Sequence, residues 1–369
     1  MKIAVPSEIK VAEKRVGLTP AAVKTLVDQG HELFVQAGAG TAIGYEDQEY
    51  ISAGATIVAS AEQAFELGQL IVKVKEPQPS EVAMLNPSHT LFTYLHLAAD
   101  RQLTDTLTAS GCRAIAYETV RDQEGRLPLL APMSQVAGRM ASQVAAESLM
   151  LHRGGCGKLM GGVPGVAPAK VTILGGGVVG TEAARIAVGL GADVTLVDAK
   201  LERLAYLDQL FGGRVKTQAA ISSVVDQLVI DSDVVVGAVL VPGAKAPKLV
   251  RREQLQQMRP GSVLVDVAID QGGCFETSKP TTHTDPTYVV DGVLHYCVAN
   301  MPGAVARTST EALVAATLPY VVRLAAGVDS ALAADAGLRA GLSVDAGNLV
   351  CSEVRAAFGI GVKPGLKSA

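Results

Sequence analysis

A glycine turn between two apolar segments constrains this chain more than any other feature. Within AKVTILGGGVVGTEAARIAVGLGADVTLVDA, the glycine positions of the pattern G-x-G-x-x-G are filled by Gly175, Gly177 and Gly180. An apolar strand pattern precedes the turn, a helical pattern follows it, and a second strand pattern ends at Asp198. Such glycines allow a tight turn, close approach of the backbone to a pyrophosphate and close helix–strand packing. The turn therefore predicts a dinucleotide-binding βαβ unit, with an ordinary glycine turn of a parallel sheet as the alternative.

Asp198 indicates which dinucleotide would bind. It follows the glycine turn by about 20 residues, where a carboxylate accepts hydrogen bonds from the adenosine ribose. The same carboxylate would repel a 2′-phosphate, so the sequence favours NAD over NADP. Arg203 could instead accept that phosphate, although an arginine one helical turn further on is typically solvated.

Strand and helix patterns alternate along the chain in two blocks, which predicts an α/β fold. Ser134 is expected to open a long helix between the blocks, and the chain after Val305 is expected to be helical and to pack back on the first block. We therefore expect two doubly wound parallel-sheet domains, a Rossmann NAD-binding domain (residues 129–305) inserted in a discontinuous substrate domain (1–128 and 306–369). Long helices would link them. The expected strands include Leu70–Lys75, Thr90–Leu97 and Arg113–Val120.

Composition excludes several classes of protein. With 49% hydrophobic and 18% charged residues the chain is not disordered. Mean hydropathy is +0.29, but the longest stretch without Asp, Glu, Lys or Arg, Val82–Ala99, is interrupted by NPSH, so no membrane span is expected. The N-terminus MKIAVPSE runs into a strand-like apolar stretch without a small-residue cleavage site, so no signal peptide is expected. A net charge of −4 offers no basic surface for nucleic acid. Five scattered cysteines without C-x-x-C indicate free thiols and a cytoplasmic location.

Four ionisable residues follow strand patterns, where α/β sheets bind ligands. Residue type alone leaves Arg15 as a surface residue, and Lys75 as either a functional group or a solvated strand end, with Lys73 on the same face supporting the latter. His96 is either a titratable site residue or a satisfied core histidine. Asp270, after SVLVDVAI, is expected to face the nicotinamide. The other histidines lack ligand spacing, so no metal site is expected.

Several segments together resemble the alanine dehydrogenases, within the group that includes the nucleotide-binding subunit of proton-translocating nicotinamide nucleotide transhydrogenase. They are MKIAVPSEIKVAEKRVGLTP, KVKEP, TYLHLAAD, LLAPMSQVAGRMA, VTILGGGVVG, VDVAIDQGGCFETS and YCVANMPGAVARTST. The resemblance covers nearly the whole chain.

The resemblance implies reversible oxidative deamination of L-alanine to pyruvate and ammonium with NAD. Arg15 would bind the substrate carboxylate and Lys75 its carboxylate or carbonyl oxygen. His96 and Asp270 would form the acid–base pair. A homohexamer with small-molecule substrates, and neither nucleic acid nor membrane as a partner, is also implied.

The resemblance further implies a set of cofactor-binding residues. Besides the three glycines and Asp198, they are Ser134, Val178, Val179, Arg203, Ala220, Val239, Leu240, Val267, Ala268, Ile269, Asp270, Lys279, Val298, Ala299, Asn300 and Met301. Ala220 stands where many relatives have Ser and Lys279 where Arg is common, which weakens peripheral contacts. Gly327-Val328 stands where some relatives carry a Glu-His metal pair, so no metal is expected.

Two other functions remain open from the residues. One is a transhydrogenase subunit that passes hydride to another subunit and binds no amino acid. The other is a non-catalytic NAD-binding regulator. His96 with Arg15 and Lys75 favours a substrate site, and no partner-facing extension or membrane segment is expected beyond GVKPGLKSA.

Overall fold

Local signals decide where the first helix begins. In the computed structural model, which describes residues 1–239 and 246–360, the side chain of Thr19 accepts a hydrogen bond from the backbone N–H of Ala22. Pro20 is the first helical residue, where the missing N–H has no helical partner to lose. A hydroxyl side chain followed by proline thus fixes the start of this first helix locally.

The first block of the chain alternates strands and helices. Its strands are β1 (Lys2–Val5), β2 (Glu32–Gln36), β3 (Thr56–Val58), β4 (Leu70–Val72), β5 (Thr90–Thr93) and β6 (Arg113–Ala116). Its α-helices are α1 (Pro20–Asp28), α2 (Asp47–Ser52), α3 (Ala61–Leu67), α4 (Pro79–Val82) and α5 (Arg101–Ala109). Short 3-10 helices lie at Thr41–Ile43, Leu97–Ala99 and Tyr117–Thr119.

The second block repeats this alternation. Its strands are β7 (Lys170–Leu174), β8 (Asp193–Asp198), β9 (Val215–Ala219), β10 (Val234–Gly237), β11 (Val263–Asp266), β12 (Thr287–Val290) and β13 (Val293–Tyr296). Its α-helices are α6 (Ala131–Ser148), α7 (Val178–Gly189), α8 (Leu201–Phe211), α9 (Ser222–Asp231) and α10 (Arg252–Leu255). Its 3-10 helices lie at Leu151–Arg153, Val267–Gln271 and Met301–Val305.

The last part of the chain is mostly helical but not entirely. It contains α11 (Ala306–Ala326), α12 (Val328–Ala334), α13 (Ala336–Ala340), β14 (Leu342–Asp345), β15 (Asn348–Leu349) and α14 (Ser352–Ala357). Strand β14 pairs antiparallel with both β6 and β15. The expectation of a wholly helical tail is therefore wrong, because β14 completes its hydrogen bonds on a strand more than 200 residues away, which no local pattern reveals.

The strands form two sheets, and the first five strands of each block have the same spatial order. One described sheet runs β15-β14-β6-β5-β4-β1-β2-β3, and the other runs β12-β13-β11-β10-β7-β8-β9. All pairs from β1 to β6 and from β7 to β11 are parallel, and antiparallel pairs occur only at the β13–β12 and β6–β14–β15 edges of the described strands. Each sheet reverses its winding beside its first strand, as in doubly wound folds. The predicted α/β fold class is confirmed.

The chain divides into two compact units. Unit 1 comprises Met1–Pro132 and Val305–Ala369, and unit 2 comprises Met133–Ala304. Unit 1 has a core that includes Ile71, Leu91 and Phe65 together with Val344 of β14. Unit 2 has its own core, which includes Val235, Leu264 and Phe275. Burial on both faces is what parallel sheets require.

Three strands of unit 1 are shorter than expected. The runs Leu70–Lys75, Thr90–Leu97 and Arg113–Val120 form strands only to Val72, Thr93 and Ala116. The apolar pattern continues past each strand end because the following turns are also buried. Lys75, His96 and Glu118 therefore lie beyond the strand ends, not within the sheet.

Among the described residues, no single helix has both the length and the apolar composition needed to cross a membrane. Within the same described residues, one pair of helical segments reaches that length and composition together, Met301–Ala326 with Val328–Ala334, and it is bent by 118°.

Candidate active site

Three of the predicted site residues meet at one edge of the unit 1 sheet. Arg15 follows β1, Lys75 follows β4 and His96 follows β5. Strands β1 and β4 are neighbours at the point where the winding reverses. In open α/β sheets, ligands bind beyond the carboxyl ends of the strands at this point. The fold of unit 1 thus brings these three residues to the edge where a ligand is expected.

Arg15 is buried and held by a carboxylate from its own loop. Its exposed fraction is 2%, and its Nε and Nη2 donate to Glu13 Oε1 and Oε2 at 2.7 and 2.6 Å. The backbone N–H of Arg15 also donates to Glu13 Oε1, at 3.0 Å. The interpretation of Arg15 as a surface residue is therefore wrong, because a carboxylate two residues earlier compensates the buried guanidinium.

The pKa of the Glu13 carboxyl group reflects the positive charge at this edge. Burial by itself would raise its pKa, but the hydrogen bonds and charge of Arg15, with a further contribution from Lys75, lower it to about 2. Glu13 is consequently ionised across the physiological range.

Lys73 is a buried cation, not a solvated strand end. Its exposed fraction is 0%, and its Nζ lies 2.6 Å from Glu81 Oε1 and 3.2 Å from Glu8 Oε2. Glu8 also accepts from the backbone N–H of Val74 at 2.7 Å. The interpretation of Lys73 as support for a solvated Lys75 is wrong, since its partners come from two other elements. Lys75 itself is half-buried.

His96 has an unusual backbone conformation. Its φ and ψ are 51° and 31°, in the left-handed region, and its side chain is exposed. The carboxylate of Glu118, beyond the end of β6, accepts the N–H of His96 at 2.7 Å and that of Leu95 at 3.1 Å. The imidazole stacks on the buried ring of Tyr94, with centroids 5.9 Å apart. The alternative of a core histidine is wrong.

The glycine turn of unit 2 has the shape that a dinucleotide phosphate needs. Gly175 has a φ of +103°, which favours glycine. A Cβ at Gly180 would lie 1.8 Å from the carbonyl oxygen of Gly175, whereas a Cβ at Gly177 would meet no atom within 4 Å. The turn is thus packed on one side and open at Gly177, where helix α7 begins. The exposed backbone amides of a helix start fit a pyrophosphate.

Asp198 and Arg203 both contact this turn. Asp198 Oδ2 accepts from the N–H of Gly176, and its Oδ1 from the N–H of Lys200, each at 2.8 Å. Arg203 donates from Nε to the carbonyl of Gly176 at 2.5 Å and from Nη2 to Thr181 Oγ1 at 2.8 Å. Arg203 therefore braces the turn, and the interpretation of it as a solvated helix residue is wrong.

The other predicted cofactor residues of unit 2 mostly follow strand ends on the same sheet edge. Ala220 follows β9, Val239 follows β10, and the 3-10 helix Val267–Gln271, which contains Ala268, Ile269 and the exposed Asp270, follows β11. Val298, Ala299, Asn300 and Met301 follow β13, Val178 and Val179 begin α7, Ser134 lies in the first turns of α6, and Lys279 is exposed before β12. Leu240 lies outside the described residues.

Asp266 holds the segment that carries Asp270. It is fully buried, and its carboxylate accepts from the N–H groups of Ala268 and Cys274 at 3.1 and 2.9 Å and from the Ser278 hydroxyl. Burial raises its pKa. The position of Asp270 thus depends on a carboxylate at the end of β11.

Sequence reasoning missed the carboxylates that hold the predicted groups. They are Glu8, Glu13, Glu81, Glu118 and Asp266. Glu118 carries the same signal that selected His96, a polar residue just after an apolar strand run. The others gave no usable signal, because their partners are known only once the chain is folded.

Among the described residues, no group of three or more His, Cys, Asp or Glu side chains is arranged to hold a metal.

Comparisons with known proteins identify the family of the chain. Residues 4–137 match the family model "Alanine dehydrogenase/PNT, N-terminal domain", and residues 141–352 match "Alanine dehydrogenase/PNT, C-terminal domain". The chain is 59% identical over 361 residues to an alanine dehydrogenase of Halomonas elongata, covering 98% of this chain and 97% of that one. It is 51% identical to an alanine dehydrogenase of Bacillus subtilis, covering 100% and 97%.

Solved structures give the same result. An L-alanine dehydrogenase with 53% sequence identity superposes with a TM-score of 0.95, covering 97% of this chain and 99% of that chain. A transhydrogenase from Sinorhizobium meliloti, 24% identical, has a TM-score of 0.82 with coverage of 95% and 99%, and shares the fold. By sequence over nearly its full length, and by fold, this chain belongs to the alanine dehydrogenase/PNT family.

Proposed function

We propose that the protein is an NAD-dependent alanine dehydrogenase. It converts L-alanine, NAD⁺ and water to pyruvate, ammonium, NADH and a proton, and runs the reverse amination. The observation that carries the proposal is the set of Arg15, Lys75 and His96 at the carboxyl edge of the unit 1 sheet, in a chain of this family. A non-catalytic NAD-binding regulator would not need two cations and a histidine at that edge. Nor would a transhydrogenase subunit that binds no amino acid.

NAD is the proposed cofactor, and it accepts hydride from the substrate Cα when bound. The open Gly177 position and the start of α7 would hold its pyrophosphate. Each Asp198 carboxylate oxygen accepts one backbone amide and has a lone pair left to accept the adenosine ribose hydroxyls, and its charge would disfavour a 2′-phosphate. Family membership supports a nicotinamide cofactor, and Asp198 supports NAD in particular.

Arg15 would bind the substrate carboxylate, and Lys75 would bind its carboxylate or carbonyl oxygen. Glu13 occupies the Nε–Nη2 edge of the Arg15 guanidinium, which fixes the direction of the whole planar group. A planar guanidinium held in this way loses little conformational freedom when it binds a carboxylate. The half-buried Lys75 ammonium adds a second positive charge, whose field lowers the pKa of Glu13.

His96 and Asp270 would transfer protons. Hydride loss from Cα creates an iminium carbon that water attacks, and a base must take the proton of that water. The collapsing carbinolamine then needs an acid to protonate the leaving amine. An imidazole exchanges protons near neutral pH, and a carboxylate stabilises a cationic iminium. Asp270 lies exposed on the segment fixed by Asp266.

The direct test is NADH formation by the purified protein with L-alanine and NAD at mildly alkaline pH, followed by absorbance. We expect turnover with L-alanine and much weaker turnover with NADP in place of NAD. Glycine and L-serine serve as comparison substrates. No turnover with any of the three amino acids would refute the enzyme proposal.

The proposal extends to location and assembly. All five cysteines are unpaired, which is consistent with a reducing, cytoplasmic compartment. The homohexamer expected from the family would have six times the chain mass of 38.1 kDa in light scattering after size exclusion. Any other mass would refute the hexamer.

A further inference from the structure

Glu118 binds the backbone on which His96 stands. Its Oε1 lies 2.7 Å from the N–H of His96 and 3.1 Å from that of Leu95, and its Oε2 lies 3.2 Å from the N–H of Leu95. Two successive amides that converge on one anion form a nest, an arrangement suited to bind negative charge. One carboxylate from the end of β6 thus fixes the turn at the end of β5.

The conformation that Glu118 binds is one that histidine adopts reluctantly. At φ 51° and ψ 31°, the Cβ of a non-glycine residue crowds its own backbone. An unbound chain would return to a negative φ, which changes the direction of the Cα–Cβ bond and of the imidazole. In the left-handed conformation, the imidazole lies on the buried ring of Tyr94, with an interplanar angle of 17°.

We propose that Glu118 is a positioning residue for His96, and that it holds the left-handed backbone that places the imidazole for proton transfer. This inference rests on the proposed function only through the role of His96. Its structural content, a carboxylate that stabilises the turn at residues 95 and 96, stands by itself. The length of the Glu118 side chain is what matters in this proposal, because it brings one oxygen, Oε1, to both amides, with Oε2 as a second acceptor for Leu95.

Three substitutions distinguish the length of the Glu118 side chain from its negative charge. Glu118→Gln keeps an oxygen at the position of Oε1 and removes the charge. Glu118→Asp keeps the charge but, one methylene shorter, withdraws the carboxylate from both amides. Glu118→Ala removes both. Thr104→Val is the matched control, because the Thr104 hydroxyl donates to the carbonyl groups of Leu97 and Asp100 in the same turn and bonds neither amide.

Two measurements are made on the full-length protein. The first is the steady-state kinetics of alanine oxidation. We expect kcat to fall about 10- to 100-fold in the Asp and Ala variants, and to stay within about 3-fold in Glu118→Gln and Thr104→Val. KM for NAD should change little in all of them. A merely structural role would reduce the folded fraction and leave kcat per folded molecule unchanged.

The second measurement does not depend on activity. The chain has six histidines, so labelling with ¹⁵N-histidine gives a simple amide spectrum. The His96 amide, assigned by its loss in His96→Gln, should move and exchange faster with deuterium in the Asp and Ala variants only. An inactive wild type would refute the proposed function, whereas this spectrum would still test whether Glu118 holds the turn.

The proposal is overturned by any of three results. Glu118→Ala could retain wild-type kcat, or Glu118→Asp could be active while Glu118→Gln is not, which would make Glu118 an electrostatic group. The third is an unchanged His96 amide in Glu118→Ala. The proposal is supported if kcat is close to wild type in Glu118→Gln and lower in Glu118→Asp and Glu118→Ala. The His96 amide signal should also be displaced in the Asp and Ala variants.

Discussion

Replacing Gly180 with alanine is expected to weaken NAD binding through a steric contact. The new Cβ would lie 1.8 Å from the Gly175 carbonyl oxygen and 3.2 Å from Ile173 Cγ2. Since Cβ contacts below 3.0 Å essentially never occur, the start of α7 must move away from the turn by about 1 Å. That movement displaces the backbone amides proposed to hold the pyrophosphate.

The expected magnitudes follow from this displacement. Alanine favours a helix over glycine by about 0.5–1 kcal/mol, but overpacking costs about 1–3 kcal/mol. The unfolding free energy should therefore fall by about 1–2 kcal/mol. Loss of one hydrogen bond to a charged phosphate costs about 1.5–3 kcal/mol, so Kd for NADH should rise about 10- to 100-fold.

Gly189→Ala provides a matched control in the same helix. Gly189 is the last residue of α7 and is exposed, and a Cβ added there would meet no atom within 4 Å. The same substitution there should raise the unfolding free energy by up to about 1 kcal/mol and leave NADH binding unchanged. Urea unfolding and NADH fluorescence titration measure both quantities. A wild-type Kd and a wild-type unfolding midpoint in Gly180→Ala would show that the turn tolerates a Cβ and would contradict this prediction.

Other expected outcomes concern the cofactor, the protons and the buried ion pair. Asp198→Gly should relax the preference for NAD over NADP in kcat/KM, and an unchanged ratio would contradict the role of Asp198. His96→Ala and Asp270→Ala should each lower kcat by about 100-fold or more; retained turnover in both would make them structural. Glu13→Gln should destabilise the protein at neutral pH, because the buried Arg15 guanidinium loses the negative charge of the Glu13 carboxylate. Since the pKa of Glu13 is lowered from 4.5 to about 2, its stabilising contribution is full above pH 4.5 and is lost as the pH falls towards 2. The difference in unfolding free energy between wild type and Glu13→Gln should therefore narrow over that range in urea titrations, and a constant difference would contradict the assignment.

The repeating pattern of short apolar runs and helical segments was sufficient to predict two mostly parallel sheets. Local signals also specify the glycine turn and the start of the first helix at Thr19-Pro20, since both depend on residues close together in the sequence. These are short-range effects, in which residue type and spacing determine backbone conformation directly.

Strand ends were less predictable than strands. The apolar runs after β4, β5 and β6 continue into buried turns, so hydrophobicity does not mark where the sheet stops. The edge strand β14 was missed for a related reason. Its pairing with β6 depends on a distant strand, and its own sequence lies among helical patterns.

Residue pattern was enough to predict the fold class, the glycine turn and the candidate residues after the strands. How those residues are held depends on the folded chain. Arg15 and Lys73 carry the same charge whether buried or solvated, and only the folded chain brings Glu13, Glu8 and Glu81 to them. The backbone N–H of His96, a residue in the left-handed conformation, likewise donates to a carboxylate 22 residues away. Burial and partner geometry are properties of the packed chain, because the free energy of a buried charge depends on which groups surround it.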